Sequence, residues 1–215
     1  MKNNNITELV FILDRSGSMS GLESDTIGGF NAMIDKQKKQ EGEAYVSTVL
    51  FNSESVVLHD RVPIEKVEPM TCAQYAVGGC TALLDAIGCA VQHVGTIHKY
   101  ARKEDVPAHT LFVITTDGME NASRRFSAAD VRKLIEKQKE KNGWEFIFLG
   151  ANIDAVQTAE TIGIHEDMAV DYRCDAAGTA LNYEVMCEAV SDVRKGRGVR
   201  KGWSKAIQAD YRARK

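Results

Sequence analysis

Two short segments carry oxygen donors at a spacing that could hold a metal ion. Asp14-Arg15-Ser16-Gly17-Ser18 is a D-x-S-x-S, and Thr116-Asp117-Gly118 ends a later apolar run with a second carboxylate. Between them, Val77-Gly78-Gly79-Cys80-Thr81 leads into a helical pattern, so Thr81 can present a third hydroxyl. Two carboxylates (Asp14, Asp117) and three hydroxyls (Ser16, Ser18, Thr81) are hard donors, the set that Mg²⁺ or Mn²⁺ prefers, whereas zinc would draw on His or Cys. Hydroxyls are neutral ligands, so two carboxylates at most balance a divalent ion. If one carboxylate acts only through water, the ion stays electron-poor with an open coordination position. Such a site is suited to an oxygen from outside, above all the Asp or Glu carboxylate of another molecule.

The elements that must position these residues are legible as apolar patterns. Ile6–Asp14, Thr110–Asp117 and Trp144–Gly150 are near-continuous apolar runs of strand length, the pattern of strands buried on both faces. Between them lie helical stretches. Asp25–Gln40 sets Ile27, Phe30 and Ile34 on one face, and Ala82–Arg102 carries a stripe from Leu83 to Ile97. Ser127–Lys141 opens with Ser127 and Asp130 in a capping-box relation. Tyr45–Phe51 and Ser55–His59, joined by Asn52-Ser53-Glu54, read as a hairpin. A short strand near Met168–Tyr172 and a helix over Ala176–Arg194 complete the pattern. Strands alternating with helices imply a doubly wound, Rossmann-like three-layer α/β fold, its sheet mostly parallel with one antiparallel edge strand. Open sheets of this kind bind ligands beyond the carboxyl ends of their strands, which is where Asp14 and Asp117 fall.

Alone, D-x-S-x-S arises by chance in roughly one chain in fifteen. Joined to a buried strand, a G-G-x-T helix entry and a second strand ending in T-D-G, it is specific. On those residues the sequence resembles the von Willebrand factor A (vWA) domain family over about residues 6–190. Asp14, Ser16, Ser18, Thr81 and Asp117 match, in order and spacing, that family's metal-ion-dependent adhesion site (MIDAS). Asp14 to Met19 and Thr116 to Asn121 look most like bacterial intracellular members. The resemblance implies a doubly wound sheet, a Mg²⁺-type ion, and binding rather than catalysis, with no catalytic residue.

Plainer roles exist for each residue: a turn aspartate for Asp14 or Asp117, loop hydroxyls for Ser16 and Ser18, a helix N-cap for Thr81. Agreement of the whole constellation favours ligation. Glu120 reads as a solvated loop carboxylate, with a hold on a metal-bound water as the sharper alternative. Arg15, Arg124 and Arg125 read as a basic rim, open to an acidic partner. Cys80 is expected to pack as a small hydrophobe rather than act as a rim thiol. Met19 and Met119 fit loop packing and partner contact equally. His93 and His98 lie five apart, about 140° around a helix, and cannot share a metal.

The 215 residues suit one α/β domain, expected over residues 1–195, with 196–215 as a basic C-terminal tail. Net charge is −3, yet residues 194–215 carry +8 and the remainder −11. Trp203 and Tyr211 within that basic segment suit nucleic acid, docking onto the acidic body, or a solvated tail equally in kind. Val199–Tyr211 has the pattern of a short amphipathic helix. Five Cys without a C-x-x-C pair read as reduced thiols in a cytoplasmic protein, and no membrane span is expected. The leading expectation is a metal-dependent protein-interaction module. The alternatives are a metal-dependent hydrolase or phosphotransferase, and nucleic-acid binding through the tail. Against the former, Ser16 stands where a phosphoaspartyl enzyme would carry Asp, and no P-loop is present.

Overall fold

The three apolar runs lie side by side at the centre of one six-stranded sheet, in a computed structural model that describes residues 5–214. They are β1 (Thr7–Asp14), β4 (His109–Asp117) and β5 (Glu145–Ala151). With β2 (Ala44–Phe51), β3 (Ser55–Pro63) and β6 (Ala169–Asp171) the order is β3-β2-β1-β4-β5-β6. All neighbours run parallel except β3, which returns antiparallel along β2. Every residue of β1 is buried, because both faces of the sheet are covered. Leu9, Phe11 and Leu13 face one layer and Val10 and Ile12 the other, as the two-residue period of a strand requires.

The first layer holds α1 (Glu23–Lys38) and α5 (Ala176–Arg194), contributing Phe30, Met33, Met186 and Val190. The second holds α2 (Leu83–Tyr100) and α3 (Ala128–Asn142), contributing Ile87, Val91, Val131 and Ile135. Gly29 permits the close approach of α1 and α5, since a Cβ there would stand 2.2 Å from the Tyr183 ring. The Ser127–Asp130 capping box forms at the start of α3, and Gly143 ends that helix in the left-handed conformation at φ 66°. Between β1 and β4 the winding reverses: the chain leaves β1 toward β2 and β3, then returns to build β4, β5 and β6 on the other side. That switch point opens a crevice at the carboxyl ends of β1 and β4.

Differences from the sequence reading are local. A seven-residue helix, α4 (Ala155–Thr161), follows β5 without having been expected. The hairpin's second strand runs on to Pro63, through a bulge where Ser47 stands opposite both Asp60 and Arg61. The last helix, α6, spans Lys205–Ala213 rather than Val199–Tyr211. Gly198 and Gly202 take positive φ, and Val199 N donates to Glu145 Oε2 at 2.7 Å, so the chain crosses the body before the helix can start. α6 lies against α5 and β6, with Ile207 buried and Trp203 Nε1 donating to Asp167 O at 2.9 Å. Among the described residues no helix is long and apolar enough to cross a membrane.

Candidate metal site at the sheet switch point

Asp14 ends β1 and Asp117 ends β4, so the topology alone makes them neighbours. Asp14 Oδ1 accepts from Ser16 N at 2.7 Å, which folds the D-x-S-x-S tightly over the strand end. Its Oδ2 accepts from Thr116 Oγ1 at 2.7 Å and Asp117 N at 3.1 Å, joining the two strand ends directly. The Tyr75 hydroxyl donates to the Asp14 carbonyl from beneath, and burial pushes that phenol well above its usual range. Ser16 Oγ and Ser18 Oγ are 3.0 Å apart, and Ser18 Oγ donates to the Asp117 carbonyl.

Thr81 arrives on a third loop that two others hold. Gly78 N donates to Arg15 O at 2.9 Å, Gly17 N to Gly79 O at 3.1 Å, and Asn52 Nδ2 to Gly78 O at 2.8 Å. Asn121 clasps the Thr81 backbone on both sides: Oδ1 accepts from Thr81 N at 2.9 Å, and Asn121 N donates to Thr81 O at 3.1 Å. The N-cap role is not taken by Thr81: Ala82 occupies that position and gives no side-chain bond. Instead Glu120 Oε2 accepts from Leu84 N, and Ser123 Oγ from Asp85 N. Gly118, at φ 145°, lies in the middle; a Cβ there would meet Ser18 Oγ at 3.6 Å and Thr81 Oγ1 at 3.9 Å. The hydroxyls of two separate loops therefore converge over the end of β4.

The electrostatics of this cluster set it apart. Asp14 and Asp117 are 1% and 2% exposed, yet no Lys, Arg or His of the described residues pairs with either. Buried charge is costly unless compensated, and here only neutral donors surround it. Asn152 Nδ2 donates to Asp117 Oδ1 from the end of β5, held there by a left-handed backbone at φ 56°. Burial first, and the Asp117 carboxylate second, push the Cys174 thiol well above its usual range. A divalent cation would supply the missing charge, and two carboxylates with three hydroxyls fit a hard ion. Among the described residues no group of three or more His, Cys, Asp or Glu side chains could hold a metal, as expected of a set this rich in hydroxyls.

The other rim residues fall differently from expectation. Glu120 is no solvated loop carboxylate: its oxygens accept from Leu84 N, Ala122 N, Ser123 N and Ser123 Oγ, which commits it to capping α2. Arg15 is half-buried, with Nη1 3.4 Å from Gln74 O. Arg124 and Arg125 are exposed, and their backbone N–H groups both donate to Asp85 at 2.9 Å. Cys80 is exposed rather than packed, because the turn that carries it is pinned by its backbone to Ser53. Met19 is buried while Met119 is 72% exposed. Thr116, Tyr75, Asn152 and Cys174 were not expected at the site. Thr116 adjoins a motif residue, but the others carry no sequence signal because distant segments deliver them.

No protein-family model matches the sequence, and no curated protein matches it. Solved structures do match. Proximal thread matrix protein 1 from the mussel byssus aligns at TM-score 0.61 and 12% identity, over 86% of this chain and 48% of that one. Another structure of the same protein, at TM-score 0.54 and 14% identity over 86% and 45%, has a zinc-occupied MIDAS motif. A von Willebrand factor type A protein from Catenulispora acidiphila aligns at 0.57 and 16%, over 86% and 42%. The ArnB paralog VWA2 from Sulfolobus acidocaldarius aligns at 0.54 and 18%, over 86% and 45%. The chain thus spans about half the length of these relatives. At such identities the likeness is one of fold, and the fold is that of vWA domains.

Proposed function

We propose that this chain is a divalent-metal-dependent protein-interaction module. Asp14, Ser16, Ser18, Thr81 and Asp117 would hold Mg²⁺ or Mn²⁺ at the switch point between β1 and β4. The carrying observation is a pair of buried carboxylates with no cation of the described residues paired to them, ringed by three hydroxyls. When bound, the ion supplies a Lewis-acidic position for a partner's Asp or Glu carboxylate. The chain's own part is preorganisation: Thr116 and Asn152 fix the carboxylates, and Asn121 fixes Thr81. The solvent face is left to Ser18, which is exposed at the rim.

A binding role is preferred to a catalytic one because the fold is that of vWA domains and Ser16 stands where a phosphoaspartyl enzyme would carry Asp. Nucleic-acid binding through residues 194–215 is disfavoured. Arg194 is buried against carbonyls at the end of α1, Arg200 pairs with Asp192, and Arg214 with Asp210 and Asp175. Five free thiols support a reducing compartment, the cytoplasm.

The test is thermal unfolding in EDTA and in Mg²⁺, Mn²⁺ or Ca²⁺. An ion at about 100 times its Kd adds roughly 2.7 kcal/mol, or on the order of 5–10 °C at this size. Wild type should show this shift with Mg²⁺ or Mn²⁺, and Asp14→Ala should lose it. A folded wild type indifferent to every ion at 10 mM, and equally indifferent when an acidic peptide is present, overturns the reading.

A further inference from the structure

Beside the candidate metal site, on the β5–β6 side, lies an open cleft of about 610 Å³ lined in part by Asn152, Tyr172, Arg173, Cys174 and Tyr211. One of these residues, Asn152, also donates through its amide to Asp117. The cleft and the metal site therefore share a wall.

Arg173 is the unusual member. It follows β6, is half-buried, and stacks its guanidinium 4.5 Å from the centroid of the Tyr211 ring. Of its five N–H groups, one is used among the described residues, Nη2 donating to Tyr211 O at 3.2 Å. Its Nε is buried without a partner. The cleft's two acidic residues do not pair with it. Asp175 accepts from Gly178 N at 2.8 Å and pairs with Arg214, while Asp154 accepts from Gln157 N at 2.8 Å. A guanidinium is always charged, and a half-buried one with no ion-pair partner among the described residues, beside an open cleft, is poised for an oxyanion.

We propose that Arg173 binds a second carboxylate of the partner segment whose first carboxylate completes the metal site. The partner would then be recognised as a peptide with two nearby acidic side chains, one at the ion and one in the Arg173–Tyr211 cleft. A carboxylate suits the planar fork of arginine. Asp175 is already paired with Arg214, and the lining carboxylates weigh about twice as heavily against a dianionic phosphate as against a monoanionic carboxylate. The inference rests on the metal-dependent reading above and adds a specificity site to it.

The test uses the full chain in saturating Mg²⁺ and fluorescent peptides of one length, blocked at both ends. One peptide carries a single Asp; the others carry two Asp residues separated by none, one or two glycines. At least one two-acid peptide should bind about tenfold more tightly than the single-acid peptide, the value of one charge-assisted hydrogen-bonded pair. Arg173→Gln should remove that gain and leave the single-acid Kd within about twofold. Lys201→Gln, the same charge change outside the cleft, should keep it. Arg173→Lys, which retains the charge without the fork, should lose at least threefold of the gain and serves if the glutamine variant does not fold. Absence of a gain at every spacing, or a gain that survives Arg173→Gln, overturns the inference. So does a gain given only by phosphoserine in place of the second Asp. Failure of the metal-dependent reading looks different, because the single-acid peptide would then bind no better in Mg²⁺ than in EDTA.

Discussion

β1 carries a buried carboxylate at each end, and the molecule compensates the two in opposite ways. Near the start of the strand Glu8 is 0% exposed. Its Oε2 accepts from Arg61 Nε at 2.7 Å and lies 3.3 Å from His98 Nε2. Arg61 reaches it because the β2–β3 bulge leaves that residue in the left-handed region at φ 50°, and Tyr45 stacks under its guanidinium. At the end of the strand Asp14 is as deeply buried, but its partners are two backbone N–H groups and a hydroxyl. One end has its charge matched by a cation within the chain. The other has no such match among the described residues, and Asp117 beside it deepens the deficit. On the same strand, the difference separates a charge kept for folding from a charge kept for a ligand.

The largest effect should come from breaking the matched pair. Arg61→Met leaves the buried Glu8, whose Oε1 already has no partner among the described residues, with only His98 beside its Oε2. Loss of one member of a buried pair costs about 3–5 kcal/mol. Chemical denaturation in EDTA should register that loss, and Mg²⁺ should stabilise the variant by as much as it does wild type. A loss below about 1 kcal/mol would mean that Glu8 does not depend on Arg61.

At the other end the sign should reverse. Asp117→Asn removes one of two adjacent buried carboxylates and keeps an oxygen to accept from Asn152. In EDTA its stability should therefore match wild type or exceed it by about 1 kcal/mol, as like charges are separated. Its Mg²⁺ shift should shrink from roughly 2.7 kcal/mol toward zero. Both quantities come from paired unfolding curves. Strong destabilisation in EDTA together with an unchanged metal shift would make Asp117 a folding residue and erase the contrast with Glu8.

One side of this contrast, the Asp14 end, was legible in the sequence. Apolar runs ending in Asp14 and Asp117 gave both strands and their direction, because a strand buried on two faces leaves little room for another pattern. The motif Asp14, Ser16, Ser18 is local, and Thr81 could be placed because Gly78 and Gly79 precede a clear helical stripe. What escaped depends on tertiary delivery. Arg61 is aimed by a bulge that no turn signature announces, and Asn152 is a single residue at a strand end. Tyr75 comes from an irregular stretch between β3 and α2. Glu120 looked solvated because the helix start it caps lies 36 residues away. α4 was missed because seven residues containing two alanines and two threonines give no apolar stripe.

Asp85 supplies the intermediate case and the smallest predicted effect. Like Asp14 it is surrounded by neutral donors, the backbone N–H groups of Arg124, Arg125 and Phe126, each at 2.9 Å. Unlike Asp14 it is half-exposed. Desolvation works against its charge, but those three N–H groups, with a smaller contribution from the Arg125 charge, outweigh it and hold the carboxyl below its usual range. A carboxyl depressed on folding contributes stability that is present above its unfolded value and is lost as pH falls through its folded value. Asp85→Asn should thus cost on the order of 1 kcal/mol at neutral pH, and the cost should fade from about pH 4 downward. Urea titrations of both proteins between pH 7 and pH 2.5 would read this directly. A difference that persists at the acid end would show that shape, not charge, holds the 124–126 loop. A difference that fades shows what neutral donors can do for a carboxylate still in touch with water. Asp14 and Asp117 have those donors without the water, which is why a cation from outside is expected there and not at Asp85.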